Sequence, residues 1–496
     1  MFAGLSQDMR EIDKRAETQY GISSIVLMEN AAYSVLKHIK SLNRKSVMVV
    51  CGTGNNGGDG FALSRLLIME GYKISIFCFG DRSKIKGDAY INYQILLNMD
   101  VKIEDDLQKL NNIIEYQDIV VDALLGTGIK GEVRDYYKEV IKTINESKAY
   151  IISVDIPSGI NADTGEKMGE CVYADETITF GCIKLGEVLL EGRKACGNLI
   201  VENISIPDKC IEEQNIRCTT SYKDYPLNLL RKREVHTNKG DYGKVYIIGG
   251  SYLMSGAVIL CAKGALNSGC GLTTCVIPDS ILNRVGSGVF ESTFITYDEN
   301  LGLNKDVMDN IIEKADAIVF GIGMGRNKNV EEALTYFLEN FEKPIVIDAD
   351  GINALSNIKS VLKNSKAKVI ITPHPKEMER LTGLEVSYIN KNRKAVAENF
   401  AKEYGCTVLL KGASTVVSDG ENVYVNTSGN PGMASGGSGD VLTGVLASFA
   451  GQGYSPYEAS ILAAYIHGAA GDSAYEDFGY GLHAENIANY LGKNIR

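Results

Sequence analysis

The stretch Ser46-Val-Met-Val-Val-Cys51-Gly52-Thr-Gly-Asn-Asn-Gly-Gly-Asp-Gly60 decides the fold of the first half of the chain. A short β-branched run ends in a glycine-rich turn, and a helical pattern opens directly after it. Gly52, Gly54 and Gly57 satisfy GxGxxG in the strand–turn–helix context of a dinucleotide fold, and Asp81 follows the next strand-like run. The turn is polar for an ordinary dinucleotide site. Asn55, Asn56 and Asp59 crowd it, which suits a pyrophosphate on backbone N–H groups together with a polar group or a cation. The bland alternative is a βα turn with no ligand.

Working outward, short β-branched runs at 73–79, 119–123 and 150–154 alternate with helical stretches at 58–70, 86–98 and 136–147. Such alternation predicts a parallel sheet with helices on both faces. Runs at 176–180 and 199–203 add edge strands. Upstream, a helix over 6–20 with Ser6 as its N-cap and a second over 27–40 are expected. From 204 to 230 the pattern breaks down around Pro207, Pro226 and many charges, which reads as a linker, partly structured at most. A second alternation then begins, with strands at 244–248, 272–277, 317–320, 344–348, 369–371, 407–410 and 415–417. A helical block from Val441 closes the chain.

The bulk properties narrow the function. Lys and Arg number 51 and Asp and Glu 62 among 496 residues, a formal charge of −11 that does not favour a phosphate-backbone partner. No nucleic-acid partner is therefore expected. Eleven cysteines without a CxxC pair point to reduced thiols and a cytoplasmic setting, not to disulfides or structural zinc. The N-terminal residues do not read as a signal peptide, and no apolar run reaches a membrane span, so no membrane partner is expected.

Three loops converge in the first half. Besides the first turn, Val121-Asp122-Ala-Leu-Leu-Gly126 and Val154-Asp155-Ile-Pro-Ser158-Gly159 each place an aspartate at a strand end. In open parallel sheets ligands sit outside the carboxyl ends of the strands. A lone strand-end aspartate is more often a cap or turn residue; three such loops together are the stronger signal. The motifs Asn55–Gly60, Val121–Gly131 and Ser153–Gly165 resemble the YjeF N-terminal domain, the NAD(P)H-hydrate epimerase. The resemblance implies that Asn55, Asn56, Gly57, Gly58 and Asp59 bind the hydrated dinucleotide with Gly126, Thr127, Gly128, Ile129, Lys130, Gly131 and Glu132. It places potassium (K+) on Asn56, Asp122 and Ser158, and Asp155 against the substrate as the catalytic group. Inverting a hydroxyl-bearing ring carbon needs a proton acceptor or donor beside it, and a buried aspartate can serve.

The second half carries Gly321-Ile-Gly-Met-Gly-Arg326, Asp348-Ala-Asp350-Gly-Ile-Asn353, Thr372-Pro-His-Pro-Lys-Glu377 and Leu409-Leu-Lys411-Gly-Ala-Ser-Thr415, each at a strand end. Most diagnostic is Asn430-Pro-Gly-Met-Ala-Ser-Gly436-Gly-Ser-Gly-Asp440 before a helix. Gly436, Gly437 and Gly439 let backbone N–H groups turn towards an anion, and the helix dipole helps. Asp440 beside a phosphate then reads as a base for an attacking hydroxyl, with a capping acid as the plain alternative. There is no GxxxxGK[ST]. Motifs and order resemble the ribokinase-like superfamily and, within it, the YjeF C-terminal domain, the ADP-dependent NAD(P)H-hydrate dehydratase. That resemblance implies nucleotide binding by Lys411, Gly412, Ala413, Ser414, Thr415 and Gly439, with Ala257, Gly323, His374 and Asp440 on the hydrate. His374 has a structural role as its alternative.

The expected fold is α/β in two domains: an N-terminal Rossmann-like three-layer α/β/α sandwich and a C-terminal ribokinase-like α/β/α domain. The boundaries expected are 1–206, a linker at 207–224, and 225–496. The expected activity is repair of hydrated NAD(P)H, by epimerisation of R and S hydrates and ADP-dependent dehydration of S. Potassium serves the first domain, magnesium (Mg2+) the second, ADP is co-substrate, and a homo-oligomer is expected. The alternative is a ribokinase-like small-alcohol kinase with an accessory or scaffold N-terminal domain.

Overall fold

The computed structural model describes every residue except Lys130, Arg326, Asn327 and Arg496. It divides into two compact units, Met1–Cys218 and Thr219–Arg496.

The first unit is built on a seven-stranded sheet. Its order is Ile103–Glu104, Lys73–Cys78, Ser46–Cys51, Ile119–Ala123, Tyr150–Val154, Glu176–Phe180, Asn198–Glu202. All neighbours are parallel. A parallel sheet is covered on both faces, so its strands are apolar on both sides. Val47, Val49 and Cys51 pack under the helices Ser24–Ser41, Asn55–Met69 and Gly87–Asn98. Met48 and Val50 face a second core with Val140, Ile141 and Ile144 of helix Asp135–Glu146. The strand order reverses between Ser46–Cys51 and Ile119–Ala123, which opens a crevice at their carboxyl ends. A separate two-stranded parallel sheet joins Ala3–Gly4 to Ile183–Lys184.

The second unit has a ten-stranded sheet. From one edge the order is Cys218–Thr220, Val423–Val425, Val416–Ser418, Thr407–Leu410, Lys368–Ile371, Pro344–Ile347, Ala317–Ile322, Lys244–Gly249, Leu272–Pro278, Thr293–Tyr297. The strands from Thr407–Leu410 to Thr293–Tyr297 are parallel. Val416–Ser418 and Val423–Val425 run antiparallel beside them. The order reverses between Ala317–Ile322 and Lys244–Gly249. Helices Ser255–Asn267, Ser438–Gly451 and Pro456–Phe478 share one apolar core with this sheet. The first two touch through glycines. A Cβ on Gly444 would lie 1.9 Å from the Cys261 carbonyl oxygen, and one on Gly264 would lie 2.4 Å from that of Val441.

Several expectations are corrected. Helix Ser6–Tyr20 starts at Ser6, and Leu5 is its N-cap. The Ser6 N–H and hydroxyl donate instead to Asp163, at 2.6 and 3.0 Å, because a carboxylate distant in sequence is the stronger acceptor. The helices after the two glycine-rich turns begin at Asn55 and Ser438, three residues earlier than expected, so Asn55, Asn56 and Asp440 lie in first turns. Strand Thr293–Tyr297 and hairpin strand Val423–Val425 were not expected. The 204–230 segment holds helix Asp208–Glu212 and strand Cys218–Thr220, and Ser221 Oγ bonds the Tyr424 hydroxyl at 2.7 Å. Asp81 caps a turn, accepting from Ser83 N–H at 3.1 Å.

Candidate functional sites

In the first unit the crevice is assembled by close backbone approach. The Gly52 N–H donates to Ala123 O at 3.0 Å, and a Cβ there would lie 1.9 Å from Leu124 O. Only glycine lets the first turn lie against the second. The second loop meets the first helix at Asn56, whose Nδ2 donates to Leu125 O at 3.1 Å. The third loop is fixed by Asp122, which is fully buried. Its carboxylate accepts from the Ser158 hydroxyl at 2.5 Å, the Ser158 N–H at 2.8 Å and the Ser153 hydroxyl at 2.9 Å. Burial nevertheless leaves Asp122 above the ordinary carboxylate range, the hydrogen bonds opposing that rise. Asn56 Oδ1 is buried and accepts no hydrogen bond among the described residues. Asn56, Asp122 and Ser158 are thus knitted together through the Leu125 backbone, to which Ser158 Oγ also donates at 3.2 Å.

Asp155 ends strand Tyr150–Val154 with φ +65°, a conformation non-glycine residues seldom adopt. Its carboxylate is ion-paired with Lys184. Asp59 is pushed well above the ordinary range by burial, with Asp155 and Asp13 adding and Lys184 opposing. Neither Lys184 nor Asp13 carries a sequence signal: each is a single charged residue outside any motif. Lys130 lies outside the described residues. Gly126 packs on Asn56, since a Cβ there would meet the Asn56 Cβ at 3.1 Å. Glu132 is mostly exposed and pairs with Lys138 at 3.6 Å.

In the second unit Asp440 stands in the first turn of helix Ser438–Gly451, where Gly437 adopts φ +88°. Burial pushes Asp440 up to about 7, with Asp348 adding to the rise and Lys411 opposing it. Asp348 follows strand Pro344–Ile347 and is almost fully buried. It accepts from Lys411 Nζ at 2.7 Å and from the Thr443 hydroxyl at 2.6 Å. Burial would raise Asp348, but the Lys411 ammonium and these hydrogen bonds outweigh it and hold the carboxyl below its usual range. A Cβ on Gly439 would lie 3.5 Å from Lys411 Nζ, so the glycine-rich turn and the Lys411 loop meet.

The Lys411–Thr415 loop hangs on Arg393. This buried guanidinium donates to the carbonyls of Leu410 at 2.8 Å, Lys411 at 2.9 Å and Ser414 at 3.2 Å. Ala257 and Gly323 are brought together, a Cβ on Gly323 lying 3.3 Å from that of Ala257. A cavity of about 130 Å3 is lined by Gly325, Asp350, Asn353 and Arg380. His374 caps helix Pro375–Thr382, its Nδ1 accepting from Lys376 and Glu377 N–H at 3.1 and 3.3 Å. That leaves the proton on Nε2 of a half-exposed ring. Burial, then the charges of Lys411 and Arg380, keep the ring below its ordinary range. Arg393 and Thr443 escaped the sequence reading. Asp348 was within reach, because it ends a strand as Asp122 nearly does.

Comparison with known proteins agrees with this division of chemistry. The family model described as NAD(P)H-hydrate dehydratase matches residues 245–493, and that of the YjeF-related protein N-terminus matches 24–186. The bifunctional NAD(P)H-hydrate repair enzyme of Moorella thermoacetica is 37% identical, covering 100% of this chain and 97% of that protein. Its counterpart in Thermofilum pendens is 35% identical over 99% of this chain and 95% of that one. A solved ribokinase-like superfamily protein from Enterococcus faecalis V583 superimposes with a TM-score of 0.50 at 26% identity, covering 56% of this chain and 95% of that one. Matches that span both units disfavour a lone alcohol kinase with an accessory domain. The chain belongs to the family of bifunctional NAD(P)H-hydrate repair enzymes.

Proposed function

We propose that the first unit interconverts R and S at the hydroxyl-bearing C6 of hydrated NAD(P)H, and that the second removes the elements of water from the S form using ADP. The observation that carries this reading is Asp440. It is a carboxyl raised to about 7 at the N-terminal turn of a glycine-opened helix, beside the Lys411–Asp348 pair. A base poised near neutral pH is suited to take a proton from an alcohol.

Asp440 accepts the proton of the ring hydroxyl as its oxygen attacks the terminal phosphoryl group of ADP, giving AMP and a phosphate ester. The ring nitrogen's electron pair then expels phosphate, and loss of a C5 proton restores the dihydronicotinamide. Lys411 to Thr415 and Gly439 face the nucleotide in this reading. Asp348 holds Lys411 at the junction of the two loops, and Arg393 holds the loop from beneath. Ala257, Gly323 and His374 face the hydrate. Magnesium would travel on the nucleotide phosphates and offset their developing charge.

In the first unit Asn56, Asp122 and Ser158 would hold potassium. The buried, unpartnered Asn56 Oδ1 and the neighbouring carboxylate and hydroxyl are hard oxygen donors, as such a cation requires. A fixed cation there would supply positive charge beside the dinucleotide. Asp155 serves as the proton acceptor or donor beside the hydroxyl-bearing carbon. The boundaries 1–206 and 225–496 remain the working limits of the two activities. Eleven buried cysteines with no disulfide suit a reducing cytoplasm, and among the described residues no helix is long and apolar enough to cross a membrane. A homo-oligomer is the working state, to be measured by sedimentation. The deciding experiment incubates purified protein with mixed R and S hydrates, ADP and magnesium. Dihydronicotinamide absorbance and phosphate should rise together until both epimers are consumed. A stable phosphorylated product without absorbance would overturn the reading.

A further inference from the structure

Asp155 and Lys184 form an asymmetric pair. The Lys184 side chain is 2% exposed, whereas Asp155 is 21% exposed and open to the cleft. Lys184 is held on every side. Its strand pairs with Ala3–Gly4 at the start of the chain, its Nζ donates to the Thr179 hydroxyl at 2.6 Å, and its N–H donates to Glu187 Oε2 at 2.7 Å. The Thr179 hydroxyl in turn donates to Glu187 Oε2 at 3.2 Å. A long flexible side chain has thereby lost its freedom, and its charge can point only at Asp155.

The surroundings make that charge decisive. Asp59 from helix Asn55–Met69, Asp13 from helix Ser6–Tyr20, Glu187 from the turn Leu185–Val188 and the Cys182 thiol all act on this pair. Burial pushes Glu187 to about 7, and Asp155 adds to that rise. Lys184 opposes it, and among the described residues it is the ammonium that acts on Asp13, Asp59 and Glu187 as well as on Asp155. It pairs directly with Asp155 alone among them.

We propose that Lys184 is a positioning residue for epimerisation: it fixes the direction of the Asp155 carboxylate, where that group exchanges a proton with the hydrated ring. The proposal rests on the epimerase reading of the first unit. Misplacing a reacting group by about 1 Å costs on the order of 10²-fold.

The test uses the full chain carrying Lys184→Met, with pure R hydrate, pure S hydrate, ADP and magnesium. R consumption should fall about 10²-fold in kcat with KM for R hydrate little changed. S consumption should stay at the wild-type rate. Lys184→Arg keeps the charge beside Asp155 and should recover part of the lost kcat. An unchanged rate in Lys184→Met, a loss that appears in KM with kcat kept, or a Lys184→Arg variant no better than Lys184→Met would overturn the proposal. If Lys184→Met unfolds the first unit, Thr179→Val removes only the hydroxyl that anchors Nζ. It should then lower kcat for R severalfold, and an unchanged kcat would overturn the proposal. Wild-type protein that leaves R hydrate untouched would instead refute the epimerase reading itself.

Discussion

Replacing Asp440 by Asn should remove dehydration and stabilise the second unit at the same time. The substitution is nearly isosteric and leaves the glycine turn and the Lys411–Asp348 pair in place. Loss of a positioned base costs roughly 10²–10⁴-fold in kcat, or about 3–5 kcal/mol. Stability moves the other way. Asp440 is raised from 3.8 to about 7 on folding, mainly by burial. At 1.36 kcal/mol for each tenfold step this is about 4 kcal/mol as a ceiling, reduced by water that reaches the cleft. The sign follows from proton counts: between those two values the folded state keeps the proton and the unfolded state has lost it. The native protein therefore loses stability as pH rises from about 4 to about 7, and the loss is complete above that. The Asn variant avoids this loss, so its gain in Tm should be near zero at pH 4 and full at pH 8. The assays are turnover of pure S hydrate with ADP, followed by absorbance and phosphate, and thermal unfolding at both pH values. Wild-type turnover should rise with pH to a plateau above about 7, where Asp440 is ionised. Near-normal turnover in the variant refutes the base assignment. Lower stability in the variant at pH 8 refutes the electrostatic argument.

Asp155→Asn should block consumption of R hydrate by on the order of 10²–10⁴-fold while S hydrate is still dehydrated; loss of both in a folded protein would remove the division of labour. Replacing potassium by tetramethylammonium should weaken hydrate binding to the first unit, and Asn56→Leu should make binding insensitive to the exchange. Equal binding in both salts for the native protein counts against the cation. Cutting the chain near Ser221 would strip strand Cys218–Thr220 from the second sheet, so a cut at the exposed Asn215 turn is the better choice. The 216–496 fragment should dehydrate S hydrate alone, and activity only on recombination with 1–215 would point to a shared site.

Local sequence determined much of this protein. Glycine at 52, 54 and 57 after a β-branched run, and at 436, 437 and 439 before a helix, can be read directly. Close backbone approach demands glycine at 52 and 57, and a positive φ favours it at 437. Strand-end aspartates at 122 and 155 were legible for the same reason: a parallel sheet delivers its carboxyl ends to one edge. What the sequence left open is set by contacts far apart along the chain. Ser6 looks like a cap, but Asp163 claims its hydroxyl. The strands Thr293–Tyr297 and Val423–Val425 are short, and their partners decide them more than their own pattern does. Lys184, Thr443 and Arg393 show no motif, because a polar residue's role depends on what burial leaves beside it. Lys184 meets Asp155 across 29 residues, and Thr443 meets Asp348 across 95. Only the folded sheet, by excluding water around those pairs, turns ordinary lysines and aspartates into groups with a fixed charge and direction.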